Sequence, residues 1–255
     1  MVLTDTHTHL YYETIDAKRD ELMQRCFDNK VDRLFLPNVD AASIPLIFDL
    51  LNAYPDNCYA MLGLHPCSVK ADWEHELMLM QPALHKHPIY AIGEIGIDLY
   101  WDKTFLAEQI QAFKLQITWA KNLKLPIVIH CRDAFDEVYE VLQQERGENL
   151  RGIFHCFTGT LEQAEKIIAL GFYLGIGGVL TYKNAGLDKI LPQIDLRHIV
   201  LETDSPYLTP VPYRGKPNES SYLTYIAQKV AELYQITIEE VADITTENSK
   251  KVFGV

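Results

Sequence analysis

The chain lacks any apolar run long enough to cross a bilayer: stretches such as Leu34-Phe35-Leu36 are far too short. The N-terminus runs straight into a strand pattern, without a basic n-region or an apolar h-region, so no secretory signal is read and a cytoplasmic location is expected. Paired cysteines are also missing. The five cysteines, Cys26, Cys58, Cys67, Cys131 and Cys156, are odd in number and show no CxxC spacing, which excludes a disulfide framework or a thiolate zinc site. Cys131 and Cys156 each follow a strand histidine, and strand alternation turns them toward a helix layer as small buried hydrophobes. Positive charge is scarce as well. Twenty-three Lys and Arg face 35 Asp and Glu, a net charge of −12, which argues against a broad basic face for duplex DNA. It does not exclude a nucleotide or strand end held locally by metal ions, whose charge a sequence count omits. There is no internal repeat, no low-complexity linker and no sign of a second domain, so residues 1–255 read as one domain.

What is present is a core-forming composition, 48% apolar and 23% charged, arranged as short apolar runs between longer helical patterns. Strands are predicted at 2–5, 33–37, 58–62, 90–94, 127–130, 152–155, 172–176 and 199–202. Several are continuously apolar, as buried parallel strands are. Helical periodicity covers 17–29, 43–53, 73–85, 104–122, 134–144, 161–170, 185–191 and 219–234, and Thr237-Ile238-Glu239-Glu240 opens a terminal helix with a capping box. Eight strand–helix units in about 250 residues have the size and order of a (β/α)8 TIM barrel. A doubly wound open sheet is the alternative, weakened because no Gly-rich phosphate loop follows the first strand.

Barrel chemistry sits at the carboxyl ends of the strands. Here those ends carry His7 and His9, then His65, Glu94, His130, His155, and finally Glu202 with Asp204. His7 and His9, two residues apart on a strand, share a face and can reach one ion. A single strand-end histidine is more often a hydrogen-bonded structural residue, and His75, His85, His87 and His198 read that way. Convergence shifts the balance to metal for His7, His9, Glu94, His130, His155 and Asp204 jointly. Imidazole and carboxylate donors suit Zn, Mn, Fe or Ni, although Mg prefers oxygen-rich sites. Six protein ligands exceed what one catalytic ion needs, so two divalent metal ions bridged by Glu94 fit better. Such a pair lowers the pKa of a shared water, stabilises attacking and leaving oxygens, and leaves a net positive centre that favours an anionic ester.

The sequence resembles the TatD-type metal-dependent hydrolases, within the amidohydrolase-like TIM barrels. The resemblance covers essentially the whole chain. It is carried by Asp5-Thr6-His7-Thr8-His9-Leu10, Gly63-Leu64-His65-Pro66, Ala91-Ile92-Gly93-Glu94-Ile95-Gly96-Ile97-Asp98, Ile129-His130-Cys131-Arg132-Asp133-Ala134, His155-Cys156-Phe157-Thr158-Gly159, Leu201-Glu202-Thr203-Asp204-Ser205-Pro206 and Arg214-Gly215-Lys216-Pro217-Asn218-Glu219. It implies a two-metal deoxyribonuclease of the 3′–5′ exonuclease type, Mg-dependent in family members, some of which deacylate D-aminoacyl-tRNA. Carried over, His7, His9, Glu94 and Asp204 would hold one ion, and Glu94, His130 and His155 the other. Two departures stand out. Ser220 replaces the proline of the family's Asn-Glu-Pro, which would loosen the start of the following helix, and Leu99 stands where an aromatic is common, which would alter a substrate contact.

The expected reaction is metal-assisted hydrolysis of a DNA strand end or another phosphoester. Asp204 is the metal-bound proton acceptor, and Glu202 is either the alternative base or an orienter. His65 and Arg132 are candidate phosphate binders, with a structural salt bridge the competing reading for Arg132, and Arg214 and Lys216 steer the polyanion from a loop at the same mouth. Rival readings are an amidohydrolase or lactonase, disfavoured because no strand-end lysine is available for carboxylation, and a non-catalytic metal scaffold, disfavoured because structural sites are usually closed with four ligands. A monomer with no membrane contact is expected.

Overall fold

Each of the eight predicted apolar runs forms a strand, and all neighbouring pairs are parallel. The computed structural model describes residues 1–147 and 149–255. Its strands are β1 (Leu3–Asp5), β2 (Val31–Leu36), β3 (Cys58–Leu62), β4 (Ala91–Asp98), β5 (Ile127–Arg132), β6 (Gly152–Phe154), β7 (Phe172–Ile176) and β8 (Ile199–Leu201). They lie in sequential order in one sheet. The sheet closes just beyond its two end strands. Thr6 N donates to Leu201 O (3.0 Å), Asp204 N to His7 O (2.9 Å) and His9 N to Ser205 O (2.8 Å), and Thr8 bridges Ser205 in parallel. Sequential order with closure makes this a (β/α)8 barrel rather than the doubly wound alternative.

Helices α1 (Asp16–Asp28), α2 (Ile44–Ala53), α3 (Trp73–Met80), α4 (Leu106–Leu123), α5 (Phe135–Gln144), α6 (Leu161–Ala169), α7 (Leu187–Ile190), α8 (Leu223–Tyr234) and α9 (Ile238–Phe253) form the outer layer. The capping box at Thr237 is realised: Glu240 N donates to its hydroxyl and Thr237 N donates to the Glu240 carboxylate. Three helices are shorter than expected. The 73–85 pattern is α-helical only over Trp73–Met80, and Gln81–His85 is a 3-10 turn. Only Leu187–Ile190 of the 185–191 pattern is α-helical, and Leu191–Gln193 tightens to a 3-10 turn around Pro192. A 3-10 turn over Ser220–Tyr222 likewise precedes α8. Among the described residues, no helix is long and apolar enough to cross a membrane.

Strand parity connects core to site. Within β3, β5, β6 and β8, residues Met61, Val128, Ile153 and Val200 join Phe35 in a buried cluster, and Phe253 of α9 stacks on Phe35 at 3.7 Å between ring centroids. The alternate residues, such as Leu62, Ile127, Ile129 and Leu201, pack in the larger core with the helices. Counting forward in twos from the first set gives Gly63 and His65, His130, His155, and Glu202. The polar residues therefore stand on an apolar plug, His130 on β5 itself and the others just past the ends of β3, β6 and β8.

Strand β4 departs from this rule and runs longer than the predicted 90–94. A register shift between Ile92 and Ile95 interrupts its ladder with β5, after which Ile95 pairs with Ile129 and Asp98 with Arg132. Ile92, Ile95 and Ile97 all reach the outer core. Glu94 and Asp98 are left pointing inward, four residues apart.

Candidate metal centre

The structure brings together all six residues expected to bind metal. Glu94 lies at the centre, its side chain 3% exposed. Its Oε2 is 3.2 Å from His7 Nε2, while its Oε1 is 2.7 Å from His130 Nδ1, 3.4 Å from His155 Nε2 and 3.6 Å from His65 Nε2. Asp204 Oδ1 completes the other side, 3.5 Å from His9 Nε2 and 3.8 Å from His7 Nε2. Asp204 sits past the end of β8 with φ of 57°, a left-handed conformation that aspartate tolerates better than most residues. Three groups drawn from these residues and His65 have donor atoms close enough to hold an ion: His7, His9 and Glu94; His7, His155 and Asp204; and His65, Glu94 and His130.

Hydrogen bonds behind the histidines decide which nitrogen each presents. Tyr11 donates its hydroxyl proton to Pro37 O (2.8 Å), so the contact between Tyr11 Oη and His9 Nδ1 (2.8 Å) needs the proton on His9 Nδ1. His9 Nε2 then offers a lone pair to the site. His130 Nε2 faces Asp98 Oδ2 at 2.7 Å, and His155 Nδ1 lies 3.0 Å from Glu202 Oε1, off the line of an ideal hydrogen bond. Both rings thus turn their proton toward a carboxylate and their other nitrogen toward Glu94, as metal-binding histidines do. His65 is the opposite case. Its Nδ1 accepts from Cys67 N (3.0 Å), so Nε2 carries the proton and aims a donor inward.

Charge follows the same geometry. Burial works against the ionised form of Glu94, but His155, His65 and His7 outweigh it and hold the carboxyl well below the usual range. Burial also opposes a charged His155, yet Glu202 and Glu94 prevail and raise it to about 10. Asp98 overcomes its own burial through the His130 hydrogen bond and falls to about 2. His7 is displaced downward by burial and by the neighbouring His155, on which its ring stacks at 3.6 Å. The His7 ring is fully buried, and neither of its nitrogens has a hydrogen-bond partner among the described residues. Unpaired buried nitrogens cost free energy, and a cation against Nε2 would relieve one of them. The nitrogen-rich donor set with two carboxylates fits a divalent cation of the Zn, Mn or Ni type.

The other expected site residues fall into distinct places. His65, Arg132 and Asp204 line a cavity of about 630 Å³ at the mouth, with Glu94, His130 and His155 at its floor. Glu202 is fully buried behind His155, where its Oε1 accepts from Cys156 N and its Oε2 has no partner among the described residues. Arg132 forms no salt bridge among the described residues; its guanidinium lies over the Tyr100 ring, 3.8 Å from the centroid. Arg214 lies outside the cavity wall and stacks on Tyr182 at 4.2 Å, and Lys216 lies over Tyr213. Cys156 corrects the expectation from alternation. Strand β6 ends at Phe154, and Cys156, at φ 50°, turns into the cavity lining instead of the helix layer.

At the departure, Ser220 and its neighbours are tied into hydrogen bonds, and a 3-10 turn stands where the helix was expected to start. Ser220 Oγ donates to Thr8 Oγ1 (2.9 Å), Asn218 donates to Thr203 O and Tyr207 O, and Arg25 donates to both oxygens of Glu219, from Nε to Oε1 and from Nη2 to Oε2. Leu99 is buried in the outer core, and the exposed aromatics are the next two residues, Tyr100 and Trp101. Asp98 and Tyr11 were not among the expected site residues. Asp98 carried a signal, since it lies an even number of steps beyond Glu94 on the same strand, whereas Tyr11 falls in the 3-10 turn Leu10–Tyr12, where strand alternation does not reach.

Residues 4–254 match the TatD related DNase family. The chain is 40% identical, over the full length of both, to an uncharacterized metal-dependent hydrolase, YabD, of Bacillus subtilis. It is 32% identical over 210 residues, covering 80% of this chain and 81% of the relative, to a protein of Edwardsiella piscicida named 3′-5′ ssDNA/RNA exonuclease TatD. Its structure resembles that of YjjV, a TatD homologue from Escherichia coli, with a TM-score of 0.92 and 28% identity over 99% of this chain and 98% of that one. A closed barrel with histidines and carboxylates gathered at its strand ends, matched along nearly its whole length, belongs to the TatD family of metal-dependent hydrolases.

Proposed function

We propose that this chain is a two-metal phosphodiesterase, a deoxyribonuclease that removes nucleotides from the 3′ end of single-stranded DNA. The observation that carries the reading is the position of Glu94, with one carboxylate oxygen against His7 and the other against His130 and His155. A single carboxylate could thus serve two cations, one held with His7, His9 and Asp204, the other with His130 and His155. Bound divalent cations would supply Lewis-acid polarisation of the scissile ester and offset the charge that develops on it.

The protein's own groups account for the rest. His65 donates from Nε2 to an ester oxygen. Asp204, whose side chain is 14% exposed against 1% for Glu202, is the carboxylate that water in the cavity can reach, so it accepts the proton. Glu202 positions His155, and Asp98 positions His130. The cavity is the size of a small-molecule site. With the net charge of −12, that favours a strand end over a duplex. Support for nucleic acid as substrate comes from the relative named as a single-stranded DNA and RNA exonuclease.

The test is digestion of end-labelled single-stranded DNA across Mg, Mn, Zn and Ni, with D-aminoacyl-tRNA and a simple lactone in parallel. A ladder shortening from the 3′ end, lost on chelation and in Glu94→Gln, is expected. Hydrolysis that survives thorough chelation, or turnover confined to the other two substrates, refutes the reading.

A further inference from the structure

Trp101 is the most exposed large apolar side chain among the described residues, 71% open to solvent, yet it lines the cavity above His130. Such exposure costs solubility and contributes almost nothing to packing. Its surroundings are ordered around it. Asp98 Oδ1 accepts from Tyr100 N (3.0 Å) and Trp101 N (3.3 Å), while its Oδ2 meets His130 Nε2. One carboxylate therefore fixes the aromatic turn and a candidate metal-binding histidine together. Leu99 N donates to Arg132 O (2.9 Å), tying the turn to β5. The Tyr100 ring is sandwiched edge-on by Trp101 (4.8 Å, 87°) and covered by Arg132, whose charge has no carboxylate partner among the described residues. Arg132 also reaches over the Trp101 ring, 5.5 Å from its centroid, and the rest of the indole is open to solvent.

Resting on the nuclease reading, we propose that Trp101 is a nucleobase platform. It stacks a base of the single strand next to the scissile phosphodiester, while Arg132, held on Tyr100, keeps N–H groups for the adjoining phosphate. An exposed aromatic face beside an unpaired guanidinium, at a fixed distance from the reacting centre, is how proteins hold single strands without reading their sequence. Every base offers a π-face, so the subsite tolerates any base but requires that one be present.

The experiment compares a single-stranded DNA 12-mer with the same strand made abasic at its two terminal positions, using the parent protein, Trp101→Ala and Trp101→Phe. Cleavage gives KM and kcat, and fluorescence anisotropy with chelator present gives binding without turnover. Stacking predicts that Trp101→Ala weakens binding and raises KM about tenfold to a hundredfold on the intact strand, with little change in kcat or on the abasic strand. Trp101→Phe should restore most of the affinity. Equal losses on both strands, or none on the intact strand, overturn the platform. Failure of the nuclease reading is seen separately, as no cleavage of the intact strand by the parent protein.

Discussion

Cation binding should strengthen steeply with pH, well above the range in which an ordinary histidine has lost its proton. Without a cation, His155 keeps its proton up to about 10, because Glu202 and Glu94 outweigh the burial that opposes its charge. A bound cation needs the neutral ring. At pH 7 the proton is held about three units below its pKa, so displacing it costs roughly 4 kcal/mol at 1.36 kcal/mol per unit. The apparent association constant should therefore rise about tenfold per pH unit, or about a hundredfold between pH 6 and 8, from this proton alone. A histidine at 6.5 would level off above pH 7. Calorimetric titration with Mn²⁺ in buffers of different ionisation enthalpy reads both quantities, and at least one proton per site should be released at pH 7.5. Glu202→Gln keeps an acceptor for Cys156 N but loses the leading attraction, so its proton release at pH 7.5 should fall. Affinity that is flat from pH 7 to 8, with no proton released, would refute the electrostatic account. The same shift has a sign for stability: the folded pKa lies above the unfolded 6.5, so the contribution is full below 6.5 and is lost as pH approaches 10.

Other perturbations test other parts of the structure. Gly175→Ala would put a Cβ 2.2 Å from Glu202 Oε2, which is buried and cannot swing away; a loss of about 1–3 kcal/mol in urea unfolding is expected, with cation affinity falling about tenfold. Asp5 accepts from Thr203 N and Thr203 Oγ1, yet burial raises it to about 7. Between 3.8 and 7 the unfolded chain holds fewer protons than the fold, so this group lowers stability by about 4 kcal/mol across that window. Asp5→Asn should flatten that part of the pH–stability curve. Phe253→Ala removes the ring stacked on Phe35 beneath the barrel and should cost about 3–5 kcal/mol, read as a lower urea midpoint.

The barrel was legible because buried parallel strands write themselves as unbroken apolar runs, and the ends of those runs are where His7, His130 and His155 appear. The convergence of Glu94 with them was also legible, although its strand was predicted too short. An apolar pattern cannot show a register shift, and only pairing with β5 reveals that β4 continues through Asp98. Charge spacing gave no means of separating Arg132, at the cavity, from Arg214, outside it, because loop geometry depends on stacking with Tyr100 and Tyr182. The inverted tautomer of His65 hangs on one backbone contact with Cys67 and has no signature in the sequence. Cys156 was misplaced because alternation was extended two residues past Phe154, the end of β6, to a position where the backbone turns left-handed.

Closure of the sheet between its first and last strands bears on how the protein is made. Thr8 and Ser205 meet across 197 residues, and Thr246 Oγ1 of α9 donates to Val2 O, ahead of β1. His7 and His9 leave the ribosome long before Asp204, and α9 is later still. Local strand–helix units can form during synthesis, but the cradle around Glu94 waits for a contact of almost maximal sequence separation, which is slow to close. A nascent chain therefore carries its histidines without a finished site, and hydrolytic capacity arrives as a single late event in folding.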